Sequence, residues 1–124
     1  MTVEQAFDIY AEAARLERRD EHEAARDHFL VASDALEEIG ELSDAREARR
    51  RALQNHIMAW ARRQWPAEEF YLHNVTPDQL ARRNRRGRTS FIIRLNMSHF
   101  VRVSVGRTGR VRLDAEDRGR RWSI

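Results

Sequence analysis

The alternation of apolar and polar positions is clearest between Thr89 and Leu113. Read at a period of two, Phe91, Ile93 and Leu95 fall on one side of a first run, with Ile92, Arg94 and Asn96 on the other. A second run sets Val101, Val103 and Val105 against Phe100, Arg102 and Ser104, after a break at Asn96 to Ser98 that suits a short connection. Gly106, Arg107, Thr108 and Gly109 supply hairpin-turn chemistry. A third run then places Val111 and Leu113 opposite Arg110, Arg112 and Asp114. The pattern predicts a three-stranded antiparallel meander over residues 89–114, followed by a charged tail over 115–124 that carries Trp122.

Upstream the period lengthens to that of helices. Thr2 and Gln5 form a capping box ahead of two adjacent stripes, Val3, Phe7, Tyr10 and Ala14 beside Ala6, Ile9, Ala13 and Leu16. This helix should end near Arg18 or Arg19. Asp20 with Glu23 repeats the capping pattern before Ala25, Phe29, Ala32, Leu36 and Ile39, and Gly40 is a natural stop because it accepts the left-handed conformation. The short turn between these two helices predicts antiparallel packing. Asp44 with Glu47 predicts the start of a third helix, whose apolar side is Ala45, Ala48, Ala52, Leu53, Ile57, Trp60 and Ala61. Its basic side, Arg46, Arg49, Arg50 and Arg51, is expected to face Glu37, Glu38 and Glu41 or solvent. Pro66 disfavours helical geometry at Trp65 and should end the helix there.

Ala67 to Val75 reads as a connector or short strand lying over the core. Thr76, Pro77 and Gln79 then combine an N-cap, a first-position proline and a capping partner, predicting a short fourth helix to about Arg83. The expected fold class is α+β in a single domain. An antiparallel three-helix unit occupies residues 1–65, a connector with the short fourth helix and an arginine-rich loop 66–88, and the meander and tail the remainder.

Within the first hairpin, Ala13, Leu16, Ala25, Phe29 and Ala32 stand at the small, large, small, aromatic and small positions of a tetratricopeptide repeat. Over about residues 5–38 the chain resembles one such repeat. The resemblance implies a helical hairpin of the kind used for protein binding, present in a single copy and assigning no binding residues.

A chain of 124 residues fits one domain with a modest core. Without cysteine there are no disulfides and no thiolate chemistry, and a reducing interior is permitted. No apolar run approaches a membrane span, and the acids within Met1 to Leu16 are unlike a signal peptide, so no membrane partner and a cytoplasmic location are expected. All 23 basic residues are arginine, which suits a high-GC coding sequence, escape from lysine-directed modification, or selection for bidentate phosphate contacts. Their distribution matters more than their number: residues 1–44 hold 13 acids and 4 arginines, whereas residues 45–124 hold 7 acids and 19 arginines. Such polarity points to a basic face for an acidic partner or to attraction between the halves.

The candidate chemistry follows from the sheet. If the aliphatic sides of the three runs share a core, the opposite side presents Arg94, Arg102, Arg110 and Arg112 beside Ile92 and Phe100. Such a face offers guanidinium groups to phosphates and a ring to a base, or it is simply a solvated sheet surface. Arg82, Arg83, Arg85, Arg86 and Arg88 around Asn84 and Gly87 form the densest positive segment and read as a second set of phosphate contacts or as an exposed loop. The five histidines lack metal-ligand spacing, and no cofactor motif is present, so no cofactor is expected. The leading expectation is a non-enzymatic nucleic-acid-binding protein; compactness and coding bias suit a phage or mobile-element product from a high-GC host. A protein-interaction module or adaptor is the second reading. The third is a metal-free ribonuclease in which His99 or His73 works beside Arg94 and Arg102.

Overall fold

The computed structural model describes residues 1–71 and 89–116. Three helices, α1 (Val3–Arg18), α2 (His22–Glu38) and α3 (Leu42–Gln64), precede three strands, β1 (Thr89–Arg94), β2 (Phe100–Val105) and β3 (Val111–Glu116). The chain is α+β, and its strands form one antiparallel sheet in the order β1-β2-β3. It divides into two compact units, residues 1–59 and 60–124. The fourth helix expected from Thr76 lies outside the described residues. None of the described helices is long and apolar enough to cross a membrane.

In the first unit, α1 starts at the expected box: the Thr2 hydroxyl accepts from the Gln5 amide at 3.1 Å, and the Thr2 amide donates to the Gln5 side chain at 2.9 Å. The next two boundaries differ from expectation. Asp20 does not cap α2; Glu21 holds the N-cap position without a side-chain bond. Asp20 instead closes α1, with a φ of 61° that lets its amide reach the Glu17 carbonyl while the Glu21 amide reaches that of Leu16. Gly40, with a φ of 86°, closes α2 through the same pair of bonds, from Gly40 to Glu37 and from Glu41 to Leu36. A capping residue type does not mark a helix start where so tight a turn leaves no room for one. Likewise α3 begins at Leu42, directly after the second turn, and Asp44 lies within its first turn, where its charge complements the helix dipole. The end of α3 at Gln64 is as expected from Pro66.

The core of this unit comprises Phe29 and Leu36 among Ala6, Ala13, Ala25, Ala32, Ala35, Ala45, Ala48 and Ala52. Small side chains on all three helices permit close approach of their backbones. The Ser33 hydroxyl, fully buried, donates to the Ala45 carbonyl at 3.0 Å and ties α2 to α3.

In the second unit, β1 and β2 pair Ile92 with Arg102 and Arg94 with Phe100, and β2 and β3 pair Arg102 with Asp114 and Ser104 with Arg112. Ile93, Leu95, Val101 and Val103 are almost wholly buried, as the period-two reading requires. The β2–β3 turn is a short glycine hairpin: the Gly109 amide donates to Gly106, the Gly106 amide donates to Arg110, and Gly109 takes a φ of 85°. Strand β3 runs two residues further than expected, so Ala115 and Glu116 belong to the sheet and not to the tail. Phe70, in the connector, is buried as expected, and the Tyr71 amide donates to the Leu95 carbonyl at 2.8 Å.

Candidate functional site

Because directly opposed residues of a sheet share a face, the register alone defines the surface opposite the core. It carries Ser90, Ile92 and Arg94 of β1, Phe100, Arg102 and Ser104 of β2, and Arg112, Asp114 and Glu116 of β3. Arg94, Phe100, Arg102 and Arg112 are therefore brought together as the sequence suggested. Arg110, exposed at the last position before β3, has the same parity. Arg82, Arg83, Arg85, Arg86 and Arg88 lie outside the described residues.

The face is less basic than its arginines alone imply. The guanidinium of Arg94 lies 5.3 Å from the centroid of the Phe100 ring, a cation–π contact made while Arg94 stays exposed. Arg102 points two nitrogens at the Glu116 carboxylate, both at 3.3 Å, and a third at the Ser90 hydroxyl, also at 3.3 Å. Arg112 contacts Asp114 at 3.1 Å with its side chain 79% exposed. Two carboxylates of β3 thus offset two of the three strand arginines. Asp114 was legible in the alternation. Glu116 was not, because the strand was expected to stop before it.

A second cluster was missed. His99 pairs with Leu95 across the β1–β2 turn, where the Leu95 amide donates to the His99 carbonyl, and so shares the side of the sheet opposite to Arg94 and Arg102. Its ring stacks on Trp65 with centroids 3.9 Å apart, and its Nε2 lies 2.6 Å from Glu68. Asn96 holds the turn: its side-chain oxygen accepts from the amides of Ser98 and His99 at 2.9 and 2.8 Å, and its nitrogen reaches the Glu69 carbonyl at 3.2 Å. The ribonuclease arrangement, with His99 beside Arg94 and Arg102, is not assembled, and His73 lies outside the described residues. The reason is the sheet parity, which sends residues 94 and 99 to opposite faces. Nothing in the sequence spacing reported His99's actual partners, which lie 31 and 34 residues upstream.

In the first unit the basic side of α3 is divided between surface and interior. Arg49 meets Glu37 of α2 at 2.7 Å, as expected, and Arg50 meets Glu47 one turn earlier at 2.6 Å. The hydrogen bond from Arg50 holds the Glu47 carboxyl below its usual range, and the same bond raises Arg50. Arg51 leaves this surface. It turns inward to the Tyr10 hydroxyl at 3.1 Å, to the Glu17 carboxylate and over the Phe29 ring at 4.6 Å. Burial opposes its charge, but the bonds it donates to Glu17 and Tyr10 outweigh that cost and raise its pKa. Asn55 continues the chain, donating to Glu17 at 2.9 Å and lying 2.8 Å from His22 Nδ1. Since the Asn55 nitrogen is the donor to Glu17, its oxygen accepts from His22 Nδ1. That network joins all three helices and is structural in character.

Among the described residues no group of three or more histidine or acidic side chains is placed to hold a metal ion. Compared with protein-family models, curated proteins and solved structures, the chain matches none of them.

Proposed function

We propose that this chain is a small non-enzymatic binding protein that contacts nucleic acid through the outward face of its sheet, with the arginines of residues 82–88 as further phosphate contacts. The observation that carries the reading is the register: it sets Arg94, Arg102 and Arg112 on one face around Phe100 and Ile92. The carboxylates of Asp114 and Glu116 concentrate the phosphate-seeking part at the β1–β2 side. There Arg94 exchanges a neutral ring for a phosphate without leaving a carboxylate unpaired. Each phosphate neutralised by the protein contributes about −0.9 to the slope of log K against log salt on duplex DNA. A face limited to Arg94 and Arg102 therefore gives a slope of about −2, and a steeper one assigns the excess to residues 82–88.

Gel retardation of mixed DNA and RNA over a salt series tests this. Retention at low salt should vanish in Arg94→Glu with Arg102→Glu while helicity is unchanged. Absence of retention by the parent chain, or equal retention by the variant, would discard the sheet as the contact surface.

One observation favours protein interaction as the second reading. Val3 and Phe7 on α1 and Leu30 and Val31 on α2 remain well exposed on the hairpin that resembles a tetratricopeptide repeat. Phe7→Glu with Val31→Glu should then abolish capture of a specific protein that the parent retains when the sheet variant still captures it.

A further inference from the structure

Strand β3 is an edge. Among the described residues nothing pairs with its far side, and its core-side positions are less covered than those of β2: Val111 and Leu113 are half-buried and Ala115 is exposed, whereas Val101 and Val103 are at 0% and Val105 at 6%. Unprotected edges recruit further strands, and proteins usually blunt them with inward-pointing charges, prolines or bulges. β3 has no proline, its register with β2 is unbroken and its core-side residues Val111, Leu113 and Ala115 are apolar; its charges are confined to the other face.

The direction of its free backbone groups follows from the turn. The Gly106 amide donates to the Arg110 carbonyl, so 106 and 110 are a hydrogen-bonded pair and the pattern alternates from there. Arg112, Asp114 and Glu116 therefore spend their backbone bonds on β2. Val111, Leu113 and Ala115 point theirs outward. The side chains on the other face read Arg110, Arg112, Asp114, Glu116, two positive then two negative at every second position. That order is its own complement when read backwards.

We propose that β3 pairs with β3 of a second copy of this chain, antiparallel about a twofold axis at Leu113. Leu113 then faces Leu113 of the other copy and Val111 faces Ala115, each as a hydrogen-bonded pair through the outward groups. Arg112 faces Asp114 and Arg110 faces Glu116, both at non-hydrogen-bonded positions, where opposed side chains come closest and charge pairs count most. The charges also select this register. A slip of two residues one way sets Arg112 against Arg112, and the other way sets Asp114 against Asp114; a slip of one turns the apolar side of one copy to the opposite face. The result is a six-stranded sheet with charge pairs on both sides of the twofold axis. A strip this narrow buries less than the roughly 1,200 Å² of a typical stable interface, so the dimer is weak, with a dissociation constant of about tens of micromolar.

The test is sedimentation velocity of the full chain from about 1 to about 200 μM, a span that resolves so weak a dimer. The parent should show a concentration-dependent dimer. Arg112→Asp and Asp114→Arg should each be monomeric when alone, because each places like charges opposite one another. Mixed in equal amounts they should form a heterodimer, since the two carboxylates that one variant carries at positions 112 and 114 then meet the two guanidinium groups of the other. Ala115→Pro removes an outward amide while sparing the bonds to β2 and should weaken the dimer by about tenfold or more. A parent that stays monomeric throughout, a dimer that persists in both single-charge variants, or variants that fold by circular dichroism yet do not associate on mixing would each overturn the pairing. The dimer is read by sedimentation without nucleic acid, and Arg94 lies outside the pairing, so failure of the dimer and failure of the Arg94→Glu with Arg102→Glu retardation test are scored separately.

Discussion

Arg51 in the first unit and Arg112 in the second are the same side chain in two settings. Arg51 is 21% exposed, stands over Phe29, and is held by Glu17 and Tyr10; Arg112 is 79% exposed and touches Asp114, two residues away on its own strand. Coulomb attraction in a half-buried site is screened little by water, so Arg51 and its partners cross-link helices. At the surface the same pair gains little and loses side-chain entropy. The chain's arginines thus do two jobs, and burial decides which.

Removing each arginine tests that contrast. Arg51→Ala should cost about 3 kcal/mol in urea unfolding, because Glu17 loses its counter-charge and the Phe29 and Tyr10 rings lose their cover. Arg51→Met with Glu17→Gln should recover much of it; a loss under about 0.5 kcal/mol for Arg51→Ala would mean that it behaves as a surface residue. Glu68→Ala, which breaks the half-buried contact to His99, should cost about 1 kcal/mol and change the fluorescence of Trp65 as the imidazole loosens. An unchanged emission spectrum would indicate that the stack does not depend on the carboxylate. Arg112→Ala should fall within about 0.5 kcal/mol of the parent at the concentrations where the chain is monomeric.

The smallest effect concerns acid. Glu47 is held below its usual value of 4.5 by Arg50, so its contribution to stability is fully present above that pH and is lost as pH falls through the lowered folded value. Both side chains are partly exposed, which limits the effect to about a few tenths of a kcal/mol. Glu47→Gln should flatten that part of the acid limb, as measured by chemical unfolding at a series of pH values between about 2.5 and 5. A difference of the size expected for Arg51 would contradict the distinction between interior and surface pairs.

The parts of the fold legible in advance are those set by period. Val101, Val103 and Val105 declared β2 and its inner side, while the register of both strand pairs is read from the structure. Thr2 and Gln5 declared the first helix start because both halves of the box are local. Asp20 and Asp44 misled because a capping residue type says only that an oxygen is available, and the neighbouring turn decides whether a helix begins there. The candidate face was legible as a set of side chains and illegible as a charge, since Glu116 meets Arg102 through a pairing fourteen residues apart. Arg51 was read with its neighbours on the helix surface. Its inward turn depends on Tyr10 and Glu17 of another helix, which no spacing within α3 reports.

Of the ten residues in the buried cluster of the first unit, eight are alanine. A methyl group exposes little oil-like area when the helices come apart, so the heat-capacity increment of unfolding per residue is small there. A small increment flattens the curvature of free energy against temperature, which moves cold unfolding of such an alanine-rich core to lower temperature.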